Sequence, residues 1–271
     1  MDNWQLTIGL EVHIQLSTKT KMFCQCIAKY GEEPNSLTCP ICLAMPGALP
    51  IINQEAINMA IKLSHALDFD VNNKTSFSRK NYYYPDLPKG YQITQFNDPI
   101  CKNGKLEIEC NNEKYTIGIT RAHLEEDSGK LIHHSDNVSF VDLNRAGSPL
   151  IEIVSEPDLH SSEHAKLYLE KLKQIVKYIN ISDCDMEKGN LRVDINVSVN
   201  KKSDSKLGTR REVKNVNSFR SVQKAIEFEY KKQIELIESG QEIEQSTLTW
   251  DEKNNVTKVL RKKEDAHDYR Y

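Results

Sequence analysis

The 271-residue sequence lacks most of the short signatures that announce a chemistry. It has no G-x-x-x-x-G-K-[ST] loop and no G-x-G-x-x-G turn, so a nucleotide bound here is not held by a P-loop or a dinucleotide-binding turn. H-E-x-x-H and G-x-S-x-G are also missing, which removes the helix-borne zinc protease and the nucleophile-elbow hydrolase. No apolar run reaches the ~18 residues needed to span a bilayer. Met1-Asp2-Asn3-Trp4 has neither the basic start nor the apolar stretch of a secretory leader. The expected address is cytoplasmic, with reduced thiols and no membrane partner. No internal repeat and no low-complexity segment is present.

What is there describes a globular protein: 38% hydrophobic and 28% charged residues, in a length that fits one large domain or two small ones. The formal net charge of −3 hides a segregation. Between Arg121 and His160 eight acids, Asp136 among them, face three bases. Between Lys201 and Lys232 ten bases face four acids. The acidic stretch suits cation binding and the basic one suits phosphate or nucleic acid; two solvated faces would look the same.

From Gln5 to Leu16 every even position is apolar and every odd one is polar or Gly. That period-2 pattern predicts a strand with one face on a core and the other open. Asn190 to Val199 repeats it, with Arg192, Asp194 and Asn196 on the polar face. Strands of this kind belong to antiparallel sheets. Helices are predicted behind Ser161 and Ser162, from Ser218 towards Gly240, and from Gln54 to Leu67. Asn103-Gly104, Asn111-Asn112 and Asp251–Asn255 read as turns. The predicted class is α+β: an antiparallel sheet with helices on one face and a concave polar surface on the other.

Several side chains could carry chemistry. Glu11 and His13 share one face of the first strand, about 6.8 Å apart along it. Arg121-Ala122-His123-Leu124-Glu125-Glu126-Asp127 places three carboxylates in a row, which is unfavourable unless they are solvated or share a cation. Continuing the alternation from Ile117 and Ile119 puts Glu126 on the polar face, unless a bulge intervenes. Glu152 interrupts the apolar Ile151–Ile153 in the same manner. If these strands share a sheet, Glu11, His13, Glu126 and Glu152 line one surface, and an oxygen-rich set with one imidazole suits Mg²⁺ better than Zn²⁺. Arg79, Lys80, Tyr82, Tyr84, Lys89 and Tyr91 interleave cations with aromatic rings, which favours nucleotides and phosphates; a packed Pro-rich loop is the alternative. Cys24-x-Cys26 and, after a twelve-residue gap, Cys39-x₂-Cys42 read as a tetrahedral structural Zn²⁺ site in an insertion at about 22–45. Cys101, Cys110 and Cys184 read as packing residues, and His133-His134 as surface.

The motifs themselves identify a family. GLEVHIQL (9–16), CPICLAMPGALPIIN (39–53), RKNYYYPDLPKGYQITQ (79–95) and RAHLEEDSGK (121–130) closely resemble the B subunit of aspartyl/glutamyl-tRNA amidotransferases. So do NRAGSPLIEIVSEPD (144–158), MEKGNLRVDINVSV (186–199), REVKNVNSFRSV (211–222) and KEDAHDYRY (263–271). Lys188, Asn190 and Ile195 depart from the family's usual Glu, Ser and Ala. The resemblance implies a catalytic cradle domain over 1–271, similar to glutamine synthetase, without the family's C-terminal helical and tail domains. It also implies the reaction: ATP phosphorylates the side-chain carboxylate of a mischarged tRNA, Glu-tRNA(Gln) or Asp-tRNA(Asn). Ammonia from the amidase (A) subunit then displaces the phosphate, with a small C subunit bracing a heterotrimer. DNA is not an expected partner. On this resemblance Glu11, His13, Glu126 and Glu152, with Glu125 beside them, would hold Mg²⁺. Arg192 or Lys214 would offset charge on the transferring phosphoryl group, Asp194 and Asn196 would orient the nucleotide or a second ion, and the Arg79–Tyr91 segment would meet nucleotide or tRNA. A zinc-stabilised RNA-binding module with no chemistry of its own is the rival reading. A metal-dependent hydrolase has little support without a water-activating motif.

Overall fold

The computed structural model describes residues 3–133 and 138–262; the 263–271 motif, His134 and Asp136 lie outside the described residues. In chain order the elements are β1 (Trp4–Gln15), α1 (Gln54–Ala66), β2 (Asp70–Val71), β3 (Ser78–Asn81), β4 (Tyr91–Thr94), β5 (Cys101–Cys110), β6 (Glu113–Glu126), β7 (Lys130–His133), β8 (Ser139–Asp142) and β9 (Pro149–Ser155). There follow α2 (Ser162–Tyr178), β10 (Leu191–Lys201), β11 (Arg211–Val216), α3 (Phe219–Glu238), β12 (Ser246–Asp251) and β13 (Val256–Lys262). Among the described residues no helix is long and apolar enough to cross a membrane.

The period-2 strands build one large sheet in the order β13-β12-β11-β10-β1-β9-β6-β4-β3, with β5 on β6 and β2 on β5. β7 and β8 form a separate hairpin. The even side chains of β1, Leu6 through Ile14, are buried in a single cluster with Ala60 and Leu63 of α1, Leu169 and Leu172 of α2, and Val222 and Ile226 of α3. All three helices thus cover the face that the even positions of β1 define, which leaves the odd positions for the site. Ser161 and Ser218 cap α2 and α3 by accepting the amides of His164 and Ser221, each at 3.0 Å. These caps satisfy donors that the first helical turn would otherwise orphan.

The sheet departs from expectation in two places. It is mixed rather than wholly antiparallel, because β11 and β12 run parallel. α3 connects them, and a helical crossover is what a parallel neighbour requires. Asn103-Gly104 is not a hairpin turn but lies inside β5. Asn103 takes a left-handed φ of 55°, and a Cβ on Gly104 would sit 2.5 Å from the Phe69 ring. The dipeptide therefore bends a continuous strand around a core aromatic. The real hairpin is at Asn111-Asn112, both with positive φ, which joins β5 to β6 in the two-residue form that Asn favours.

One irregularity decides the site. On β6 the ladder with β9 pairs Ile119 with Ser155 and then Arg121 with Val154, so Thr120 is an extra residue. A bulge of this kind reverses the facing of everything beyond it.

Replacing the α2 cap, Ser161→Ala, is expected to lower unfolding free energy by about 1 kcal/mol. Chemical denaturation should show a shifted midpoint with an unchanged slope.

Candidate functional site

Strand register sets out the polar face in rows. Arg192 on β10, His13 on β1, Glu152 on β9 and His123 on β6 are successive cross-strand partners. The next row is Asp194, Glu11, Val154 and Arg121. Neighbouring strands are about 4.8 Å apart, so side chains in a row touch.

His13 Nε2 lies 3.3 Å from Glu152 and 3.7 Å from Glu125. His123 Nε2 approaches the same two carboxylates at 3.3 and 3.9 Å. Burial works against an imidazolium at His13. The hydrogen bond and charge of Glu152, with Glu125 and Asp194, outweigh burial and push its pKa up to about 9. Burial would likewise raise Glu152, but the hydrogen bonds of His123 and His13 hold its carboxyl well below the usual range. Ligand atoms of His13, Glu125 and Glu152 lie within 4.8 Å of one another. That spacing, with two carboxylates and one imidazole, fits a single hard divalent cation with bonds of roughly 2.0–2.6 Å.

Glu11 belongs to a second group, with Asp194 and Glu212, whose carboxylate oxygens also come within 4.8 Å of one another. Burial, then the charge of Glu152, raises the Glu11 pKa, while the amide of Asn196 donates to it at 2.9 Å. The Lys214 ammonium bridges this group, pairing with Asp194 and, at 2.9 Å, with Glu212. Burial disfavours that ammonium, yet the two carboxylates raise its pKa and keep it charged.

Glu126 is not on this face. The Thr120 bulge turns Arg121, His123 and Glu125 to the polar side and Glu126 away from it. There Glu126 pairs with Lys89 and accepts the Ile93 amide at 2.9 Å. The surface expected of Glu11, His13, Glu126 and Glu152 is therefore corrected: Glu125 takes the place of Glu126, and Glu11 joins a neighbouring group. Arg192 turns to Asp127 at 2.9 Å, with Arg145 at 3.5 Å on the same carboxylate. Asp127 and burial act in opposition on Arg192, and the raised pKa shows Asp127 prevailing.

A hollow of about 350 Å³ opens over the two acidic groups. Lys80, Arg121, Lys214 and Arg261 bring cations to its wall. A second cavity of about 260 Å³ shares Glu11 and adds Asn196, Leu10, Pro157 and Leu207. Gly208 lines it too, packed so tightly that a Cβ would lie 2.0 Å from the Val199 carbonyl oxygen. Arg192 lines a different cavity of about 530 Å³, with Arg145 and Lys130. The Arg79–Tyr91 segment is divided. Lys80 reaches the hollow, Lys89 is half-buried against Glu126, Arg79 stacks over Tyr91 at 4.9 Å, Tyr82 bonds its amide to the Gly90 carbonyl, and Tyr84 is exposed.

The four cysteines converge. A short hairpin, with Lys21 N–H on the Cys26 carbonyl at 2.9 Å, presents Cys24 and Cys26. The Cys39–Cys42 turn presents the other pair, and the Cys39 amide donates to Cys42 Sγ at 3.1 Å. All four sulfurs lie within 4.8 Å of one another and none forms a disulfide. The donors fit one tetrahedral thiophilic ion. Cys101 and Cys184 are buried and Cys110 half-buried, each a free thiol away from this cluster.

Sequence reading passed over His123, Asp127, Arg121 and Glu212. His123-x-Glu125 mirrors Glu11-x-His13, and that echo was the available signal.

A family model described as "GatB/GatE catalytic domain" matches residues 6–271. The chain is 55% identical over 264 residues to the B subunit of the aspartyl/glutamyl-tRNA(Asn/Gln) amidotransferase of Persephonella marina, covering 97% of this chain and 56% of that protein. It is 54% identical over 274 residues to the protein of the same name from Helicobacter hepaticus, covering 100% and 58%. The Carboxydothermus hydrogenoformans protein of that name is 53% identical, covering 100% and 57%. The chain thus spans somewhat more than half the length of these relatives.

His13 gives a pH test. Its folded pKa near 9 lies above the ordinary value of about 6.5. Its pairing therefore stabilises the metal-free fold fully below pH ~6.5 and is lost as pH rises through about 9. Chelator-treated protein is expected to lose roughly 3 kcal/mol of unfolding free energy across that window. Denaturant titrations should show His13→Gln losing markedly less.

Proposed function

The chain belongs to the GatB/GatE catalytic-domain family, and from that premise we propose that it is the ATP-using cradle of a tRNA-dependent amidotransferase. Its substrate is Glu-tRNA(Gln), Asp-tRNA(Asn) or both. An oxygen of the side-chain carboxylate attacks the γ-phosphorus of ATP and ADP leaves. Ammonia then attacks the acyl carbon and phosphate departs, which leaves Gln-tRNA(Gln) or Asn-tRNA(Asn). The relatives are named as the B subunit of their enzyme, which supports assembly with other chains. In that assembly the amidase (A) subunit supplies ammonia and a small C subunit completes a heterotrimer. The likeness to glutamine synthetase, which activates glutamate through the same acyl phosphate, belongs to this reading.

The observation that carries it is the meeting of His13, Glu125 and Glu152 under a hollow walled by Lys80, Arg121, Lys214 and Arg261. Two anions must approach for a carboxylate to attack ATP, and cations between them lower that barrier. His13, Glu125 and Glu152 would hold Mg²⁺, which when bound neutralises charge between the phosphate oxygens and the incoming carboxylate. Lys80, Arg121 and Arg261 face the phosphates from the wall. Lys214, set by Asp194 and Glu212, presents its ammonium toward the transferring group. Pro157 and Leu207 in the adjoining cavity offer an apolar slot of the kind a base stacks into, with Asn196 beside it to orient the nucleotide. Arg192, fixed by Asp127, lines the neighbouring cavity and not the hollow, so the charge-offsetting role falls to Lys214. Of the Arg79–Tyr91 residues, exposed Tyr83 and Tyr84 are placed to meet the tRNA acceptor end. The four cysteines would hold a structural Zn²⁺ that folds the 22–45 insertion. A binding module without chemistry would not need buried carboxylates gathered in this manner.

The test is γ-phosphate transfer to each mischarged tRNA, with this protein alone and with the A and C subunits added. Transfer that depends on divalent metal and on mischarged tRNA supports the proposal; tRNA binding without any ATP turnover in the full assembly rejects it. Glu125→Gln is expected to lower transfer by at least ~100-fold. Glu126→Gln instead strands the Lys89 ammonium and is expected to cost about 3 kcal/mol of stability in denaturant titration.

Cys39→Ser should lower zinc content and thermal stability together. Metal analysis of freshly purified wild type that finds no zinc would reject the zinc assignment.

A further inference from the structure

Lys21 is wholly buried, with no exposed surface. Lysine is almost never found so unless paired, because an ammonium removed from water needs an anion or a full set of acceptors. Its Nζ donates to the Leu37 carbonyl at 2.8 Å and the Leu143 carbonyl at 3.3 Å, and reaches Cys42 Sγ at 3.7 Å. No carboxylate is among these partners. Four neutral thiols would leave the ammonium without an anion, whereas a divalent ion on four thiolates carries a net double negative charge. A buried cation beside one of the four sulfurs is what a metal-bound thiolate cluster requires of its surroundings.

The other partners of Lys21 lead towards the sheet. Leu143 opens the turn that ends at Ser148, and the same turn is bonded on both sides. The Met22 amide donates to the Gly147 carbonyl at 2.7 Å, the Gly147 amide to the Asp127 carbonyl at 2.8 Å, and the Asp127 amide to the Ser148 carbonyl at 2.8 Å. A Cβ on Gly147 would lie 3.5 Å from Lys21 Cδ and 3.8 Å from Cys42 Cβ, so turn, lysine and cluster are in contact. Asp127, held in this manner, receives Arg192 at 2.9 Å.

We propose that Lys21 is a positioning residue: its ammonium is the internal counterion of a metal-bound four-cysteine cluster and ties that cluster to the turn that sets Asp127 against Arg192. This rests on the zinc assignment and goes beyond it. Metal at the cysteines is thereby linked to the Asp127–Arg192 pair through Lys21 and the 143–148 turn, although that pair lies outside the catalytic hollow.

The experiment is zinc competition with a chromophoric chelator on the full chain, comparing wild type, K21M and K21R. Wild type is expected to hold one zinc. K21M, similar in length but uncharged, should bind it about 10- to 100-fold more weakly, and K21R should recover most of that loss. Hydrogen exchange provides a second readout: stripping zinc from wild type should speed exchange in peptides over residues 127 and 143–148 and leave α2 unchanged. Wild type without zinc would overturn the zinc assignment itself. Wild type with zinc, and K21M within twofold of its affinity, would overturn the role of Lys21 alone. Should K21M not fold, unchanged exchange over 143–148 in zinc-stripped wild type overturns the coupling.

Discussion

The pairing of β1 with β9 on one side and β10 on the other sets His13 between Glu152 and Arg192, and the chemistry of the polar face follows from that register. Ladder hydrogen bonds hold the backbones in place, so the carboxylates cannot retreat from one another. They must be neutralised where they stand, by protons, by imidazoles or by a cation. A slip of one residue in either ladder would send the odd side chains of β1 into the core and its even, apolar ones to water. The buried Leu10, Val12 and Ile14 on the opposite face enforce the register against that slip.

The buried acids fall into two classes by the partner each one has. Glu126 is matched by Lys89, Asp127 by Arg192 and Arg145, and Glu229 by Arg211 at 3.7 Å with Thr257 also donating. These cations are permanent, and such pairs hold structure. Glu125 and Glu152 are matched by imidazoles instead. A deprotonated imidazole turns a lone pair toward a metal, and an ammonium has no lone pair to offer. The difference explains why adjacent glutamates of the same strand serve different ends. Asp194 and Glu212 stand between the classes, since Lys214 is a permanent cation but lines the hollow and is half-exposed.

The cysteine insertion and the catalytic sheet meet at the 143–148 turn. Gly147 suits that position because its φ of +87° strains any residue with a side chain. The Asp127–Arg192 pair is thus braced from the side away from the hollow.

Much of this was readable from residue order. Alternation in Gln5–Leu16 and Asn190–Val199 marked the strands and their polar faces, Ser161 and Ser218 marked the helix starts, and the cysteine spacing marked the cluster, because each signal is local and has one period or one geometry. Strand adjacency was not readable, since ladder pairing joins residues far apart in the chain. The Thr120 bulge could not be seen either: one extra residue leaves no compositional mark, yet it exchanges Glu126 for Glu125 and brings in His123. The Asn103-Gly104 signal was read as a turn because local propensity cannot sense that Phe69 packs against it. Sequence by itself determined which side chains were available and, on strands without a bulge, which face would hold them. Tertiary structure alone decided which of them meet, because charge convergence depends on distances that only the assembled sheet imposes.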